Sequence, residues 1–180
     1  MPLRLPATLD RLRSAAETST FADRDTVILE LTLLNGFRPS EIAALDMVDV
    51  KIATPQIRRR MRGCGSRWQP LLIDNIASWT RLCRRENVQA GAAFLQTWQG
   101  SRISRVDVWR ILRGLGTKAG IKKPVHARRI RKILAYTLAR RHAQRAELVA
   151  DVLALKGLQG VSAFLPRTDW SPFTELREPR

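Results

Sequence analysis

The order of apolar and polar residues divides the chain into two kinds of segment. Most repeat at the spacing of an amphipathic helix, and one stretch near the middle alternates as a strand does. The opening "MPLRLPATLDRLRSAAETST" places Leu9 and Leu12 on one side of a short helix. Asp23 is the expected N-cap of the next helix, "RDTVILELTLL", which Asn35-Gly36 should stop. A third, short helix has Pro39 in its first turn, ahead of "SEIAAL". "DVKIA" reads as a strand. "QIRRRMRGCGSRWQPLLI" reads as a β-hairpin in which Ile57, Arg59 and Met61 share one side and Gly63 and Gly65 flank Cys64 in the turn.

Beyond the hairpin the helical period returns. "NIASWTRLCRRENV" predicts a buried stripe of Ile76, Trp79 and Leu82 or Cys83. "SRVDVWRILRGLG" opens on a capping box, Ser104 with Asp107, and predicts Val106, Trp109 and Leu112 inside. "GIKKP" breaks the chain before a long helix from about His126 to Arg145. One more helix, "ELVADVLAL", should end near Lys156-Gly157, before a Pro-rich tail with scattered apolar residues. The sum is a mainly α fold with one small antiparallel β-sheet and no internal repeat. It divides into a lead segment (1–22), a main domain (23–164) and a C-terminal tail (165–180).

Composition narrows the partner. At 180 residues and 44% hydrophobic content the chain can bury a real core and is too apolar for a disordered basic tail. Its formal charge is +16, which points to a polyanion. Six lysines stand against 26 arginines, and a guanidinium grips phosphate oxygens two at a time where an ammonium acts as a point charge. An Arg-favouring codon usage would give the same bias. Cys64 and Cys83 are isolated thiols without a C-x-x-C pattern, so neither a metal nor another cofactor is expected. With no apolar run of membrane-span length and no signal-peptide core, the expectation is a cytoplasmic, nucleoid-associated protein with no membrane partner.

Three local features carry chemistry. Arg38 in "NGFRPSEIAAL" lies between a helix stop and a helix start, where Glu41 can orient its guanidinium; an ordinary surface ion pair is the alternative. His126 and Arg129, at i and i+3 on a first helical turn, lie on one face beside unpaired backbone N–H groups. That arrangement suits a phosphate, and cations there oppose the helix dipole unless an anion offsets them. The hairpin tip "RMRGCGSRW" would carry basic strands into a DNA groove or form a charged, exposed edge.

In their order and spacing these pieces resemble the catalytic domain of the tyrosine recombinase (phage integrase) family from about Arg24 to Phe164. "GFRPSEIAAL" is similar to the family's first-arginine motif, G-[LF]-R-x-S-E-[IL], and "RISRVDVWRILRGLGTKAGI" to the segment preceding its H-x-x-R. The resemblance implies that Arg38, His126 and Arg129 meet one DNA phosphate, where the family stabilises charge on a pentavalent phosphorus. It also implies what is missing. The nucleophilic tyrosine position falls on Phe164, the second histidine or tryptophan on Leu155, and the hairpin lysine on Cys64. The chain's one tyrosine, Tyr136, falls in the helix after H-x-x-R. Arg62 or Arg67 would reach near the lysine's place, but guanidinium is a poor proton donor.

The expectation is therefore a double-stranded-DNA-binding protein, cleavage-inactive, acting as a transcriptional regulator or recombination accessory factor of a mobile genetic element. Further DNA contacts are expected from Arg62, Arg67, Arg102, Arg105, Arg128, Arg131 and Lys132. Two alternatives stand beside it: a subunit of an active recombinase or integrase system, and an assembly module in a larger nucleoprotein complex. A homo-oligomer or a partner protein is expected to engage the tail through Phe164, Leu165, Trp170, Phe173 and Leu176, the alternative being that these residues fold back onto the chain's own core.

Overall fold

The computed structural model describes residues 7–61, 65–84, 89, 91–122, 124–141 and 146–154. Seven α-helices and a three-stranded antiparallel sheet occupy these residues: α1 (Ala7–Glu17), α2 (Ala22–Leu33), α3 (Pro39–Ala43), β1 (Val50–Lys51), β2 (Gln56–Met61), β3 (Gly65–Pro70), α4 (Ile76–Cys83), α5 (Arg105–Lys118), α6 (Ala127–Arg141) and α7 (Ala146–Val152). This is the mainly α architecture with a small sheet that the residue pattern predicts.

Helix α2 is enclosed on all sides and forms the axis of the fold, with every residue from Asp25 to Leu33 buried. Around it pack α1, α4, α5 and α6. Leu9, Leu12, Ala15 and Ala16 of α1 enter the same core as Val27, Phe37, Ile57, Trp79, Val108 and Ile130. Asp23 does not cap α2. The helix begins behind Phe21, which offers no capping side chain, and Asp23 instead accepts hydrogen bonds from Ser78 Oγ (2.9 Å) and Arg81 Nη2 (2.6 Å) of α4. The stop at Asn35-Gly36 is as expected. The Asn35 amide donates to Leu72 O and its carbonyl accepts from Leu72 N, both at 2.9 Å, so the helix end is tied to the chain leaving β3.

The sheet has strand order β1-β2-β3, with Ile57 opposite Gln69 and Arg59 opposite Arg67 in the hairpin. Ile57 and Arg59 both point inward and both are fully buried. The strand foreseen at "DVKIA" shortens to β1, behind a 3-10 turn over Met47–Asp49. The hairpin tip, with Arg62 and Cys64, lies outside the described residues, as do Leu155, Phe164 and the tail.

Two expected helix faces are rotated. On α4, Trp79 is buried as predicted, but Ile76 is exposed. On α5 the inward stripe is Val108, Leu112, Leu115 and Gly116, whereas Val106 and Trp109 face outward. The capping box does form, with Ser104 Oγ accepting from the N–H groups of Val106 and Asp107 and Asp107 accepting from Ser104 N at 2.8 Å. Among the described residues no helix is long and apolar enough to cross a membrane.

Candidate functional site

The site grows from one buried carboxylate. Pro39 presets the first turn of α3, and Glu41 three residues past Arg38 turns back on that turn. Its Oε2 accepts from Arg38 N at 2.7 Å and its Oε1 from Arg38 Nη1 at 2.9 Å. The same Oε2 accepts from Arg59 Nη2 (2.6 Å) and Nε (3.1 Å). Glu41 thus couples Arg38, whose side chain is 43% exposed, to Arg59, whose side chain is 0% exposed. Arg59 completes its donors on Gly36 O (2.7 Å) and Val152 O (3.0 Å), with its guanidinium 4.3 Å from the Phe37 ring centroid. Burial pushes the Arg59 pKa down, while Glu41 works against that shift.

A further arginine enters from α6. Arg131 is 5% exposed and its Nη2 donates to Leu153 O at 2.8 Å. Its pKa is pushed down to about 10, first by burial and then by the positive charge of Arg38 and of Arg59, with Glu41 opposing. Several guanidinium groups thus share one buried carboxylate, and the cluster carries excess positive charge.

These arginines also hold the end of α7. Asp151 O accepts from Arg67 Nη2 (2.9 Å), Val152 O from Arg59, and Leu153 O from Arg131. Consecutive carbonyls at a helix C-terminus lack helical partners and carry the negative end of the dipole, so cations satisfy both needs. Ala154 follows at φ +46°, which turns the chain out of the helix. Gly36 makes the close approach possible. Its φ is +63°, and a Cβ there would lie 2.8 Å from Leu153 Cδ2 and 3.2 Å from Val152 O.

His126 stands just before α6, where its carbonyl accepts from the N–H groups of Arg129 and Ile130. It is exposed, as are Arg128, Arg129 and Lys132, while Ala127, Ile130, Arg131, Leu134 and Ala135 form the inward face. Its imidazole Nδ1 accepts from Trp109 Nε1 of α5 at 3.2 Å. On α6, Arg131 lies within electrostatic reach of Arg38.

The other arginines expected along DNA divide by their engagement. Arg131 is inside rather than on the surface. Arg102 is committed to the protein, donating to Ala43 O and Leu45 O (3.1 Å each) and to Asp46. Arg67 pairs with Asp151 at 3.2 Å yet stays 40% exposed. Arg105 is exposed at the start of α5. The roles of Arg59 and Trp109 were not foreseen. For Arg59 the signal was present, since it shares the inward side of β2 with Ile57, and an inward arginine requires a buried acceptor. Among the described residues no group of three His, Cys, Asp or Glu side chains is placed to hold a metal ion.

The chain matches the phage integrase family over residues 5–160. It belongs to that family. It is 30% identical over 138 residues to the tyrosine recombinase XerD of Bifidobacterium longum (strain NCC 2705), which covers 71% of this chain and 44% of that protein. It is also 30% identical over 144 residues to the type 1 fimbriae regulatory protein FimE of Escherichia coli (strain K12), covering 76% of this chain and 71% of FimE. The chain thus spans under half the length of the first relative. The fold matches the crystal structure of XerA recombinase with a TM-score of 0.76 at 20% identity, over 100% of this chain and 66% of the other. It matches XerH site-specific recombinase bound to difH substrate, a pre-cleavage complex, with a TM-score of 0.70 at 16% identity, over 94% of this chain and 51% of the other. The described fold is therefore that of a tyrosine recombinase catalytic domain.

Proposed function

We propose that this integrase-family chain binds duplex DNA without cutting it, as a regulator or an accessory factor in DNA recombination. Arg38, His126 and Arg129 take one phosphate of the backbone, with Arg59 and Arg131 supplying positive potential from behind. The observation that carries this reading is the shared carboxylate: Glu41 accepts from both Arg38 and Arg59, and Arg131 is destabilised by both of those charges. A phosphate supplies the anion that the cluster lacks. Arg62, Arg67, Arg105, Arg128 and Lys132 extend the contact along the strand, with Arg67 exchanging Asp151 for a phosphate oxygen.

Inactivity is inferred from the sequence resemblance, in which Phe164, Leu155 and Cys64 stand where the nucleophile, a hydrogen-bond donor to the phosphate and the leaving-group acid belong. Phenylalanine has no hydroxyl to form a phosphotyrosyl bond. The regulatory reading is supported by a relative that is itself named a regulatory protein, FimE, and the DNA reading by the XerH structure with its difH substrate. The tail beyond Phe164 is then the segment through which a second copy or a partner completes the grip on the duplex.

A second reading is a subunit that lends its arginines to a partner holding the tyrosine, and it is favoured by the ordered Arg38–Glu41–Arg59 cluster. Fluorescence anisotropy with duplex DNA tests the first reading. Affinity should fall by about a thousandfold over a fourfold rise in salt if about six phosphates are contacted, and Arg38→Ala with Arg129→Ala should weaken it further at every salt. No binding at low salt would remove the proposal. A nicked suicide duplex separates the readings, since a covalent adduct on this chain would end the claim of inactivity.

A further inference from the structure

We propose that Trp109 is a positioning residue for His126: its indole N–H, given to Nδ1, fixes the neutral imidazole with its proton on Nε2, so that His126 meets a phosphate oxygen as a donor. This inference rests on the reading that His126 contacts DNA phosphate, and it adds the group that sets the histidine's polarity.

The geometry is specific. Trp109 Nε1 and His126 Nδ1 are 3.2 Å apart, and the two rings lie within 20° of parallel with centroids 6.4 Å apart. An indole N–H lies in the plane of its ring. A hydrogen bond between two nearly parallel rings therefore requires them to meet edge to edge, with the N–H aimed at the in-plane lone pair of Nδ1. Face-stacked rings would send the N–H past the imidazole.

The chemistry follows from what each group can do. Indole N–H donates only, and a neutral imidazole has one donor nitrogen and one acceptor. The nitrogen facing Trp109 must be the acceptor, which leaves the hydrogen on Nε2. A phosphate oxygen accepts only, so the opposite tautomer would set lone pair against lone pair at the ligand. Without a partner at Nδ1, His126 would divide between the two forms, and the Nδ1-protonated fraction would face DNA with the wrong polarity.

The surroundings hold this contact in place. Trp109 is 37% exposed, and Arg113, one turn further along α5, places its guanidinium 5.1 Å from the Trp109 ring centroid. The residue beside His126 is pinned as well. Val125 is buried against Gly116 of α5, where a Cβ would come within 2.5 Å of Val125 Cγ2. Helix α5 therefore fixes the position of His126 through Val125 and its tautomer through Trp109. This also accounts for a tryptophan that faces outward on a helix whose inward stripe is otherwise aliphatic.

Long-range 1H–15N correlation spectra of the 15N-labelled protein test the assignment directly, with His142→Gln identifying the signals of His126. The neutral His126 ring should show a protonated Nε2 and an unprotonated Nδ1. In Trp109→Phe, which keeps an aromatic ring and loses the N–H, the 15N shifts of Nδ1 and Nε2 should move toward each other as the two tautomers average, and affinity for a short duplex should fall about fivefold, the scale of one hydrogen bond. Amide dispersion in the same sample verifies that the variant is folded. An Nδ1-protonated wild-type ring, or tautomer signals unchanged in Trp109→Phe, would overturn the role given to Trp109. A tautomer shift in Trp109→Phe together with unchanged duplex affinity in His126→Ala would confirm the tautomer assignment and remove the phosphate reading it rests on.

Discussion

The arginine cluster and the edge around His126 both depend on α6, yet they are held in different ways. Arg59 is buried with its donors taken up by Glu41 Oε2, Gly36 O and Val152 O. Arg131 is buried against Leu153 O. His126 is exposed and its ring accepts a hydrogen bond from a tryptophan that is itself partly open. In the cluster, folding and the proposed anion binding draw on the same side chains, because removing the carboxylate that orients Arg38 also strands Arg59. At the edge the two are separable. A side chain at the edge can therefore change without unfolding the chain, whereas the cluster is part of what holds the fold together.

The largest effect that tests this contrast is on Glu41. Glu41→Ala leaves the Arg59 guanidinium buried without its counter-ion, and breaking a buried pair costs about 4 kcal/mol. Urea unfolding should show the midpoint falling with little change in slope, while His126→Ala stays within about 0.5 kcal/mol of wild type. Equal losses in the two variants would break the comparison. Gly36→Ala comes next, at about 2 kcal/mol, because the residue must hold φ +63° and its new methyl meets Leu153. Amide exchange should quicken in α7, whose end rests on Gly36, before it quickens in α5.

Arg131→Met sharpens the contrast from inside the cluster. Burial already holds the Arg131 pKa down to about 10, so the fold bears a cost for keeping that charge. An apolar side chain of similar length removes the cost along with the hydrogen bond to Leu153 O. The stability loss should be about 1 kcal/mol, well below that of Glu41→Ala, while duplex affinity measured by anisotropy drops. A loss as large as that of Glu41→Ala would mean that Arg131 serves only as a cap for α7.

Local pattern carried much of this architecture and part of the site. Leu9 and Leu12, the stop at Asn35-Gly36, the hairpin and the Ser104–Asp107 box are each decided within a few residues, so they could be read from the chain alone. The phase of α5 could not. Val106, Val108, Trp109, Ile111, Leu112 and Leu115 offer two apolar stripes, and packing against α1, α2 and α3 selects the one through Val108. Arg131 sits in "RRIRK" with nothing local to separate it from Arg128, and its acceptor is 22 residues away at Leu153. Asp23 resembles an N-cap, but Ser78 and Arg81, more than fifty residues on, claim its oxygens. What the sequence left undecided depends on pairings between distant segments.

The smallest effect bears on the edge, at the capping box that starts α5 four residues ahead of Trp109's turn of contact with His126. The backbone N–H of Ser104, and then its hydroxyl, hold the Asp107 carboxyl below its ordinary value of 3.8. The folded chain therefore ionises this group more readily than the unfolded one. Its contribution is complete above the ordinary value and is lost as pH falls through the depressed folded value. Asp107→Ala should cost about 1 kcal/mol at neutral pH, and its difference from wild type should close as the solution is acidified through that window. The cap secures the first turn of α5, while the position of Trp109 depends on the packing of Val108 and Leu112 and on Arg113. The His126 tautomer signals and duplex affinity should accordingly stay as they are in wild type. If they change with the cap, the edge is not separable from the stability of its helix, and the two regions are built alike after all.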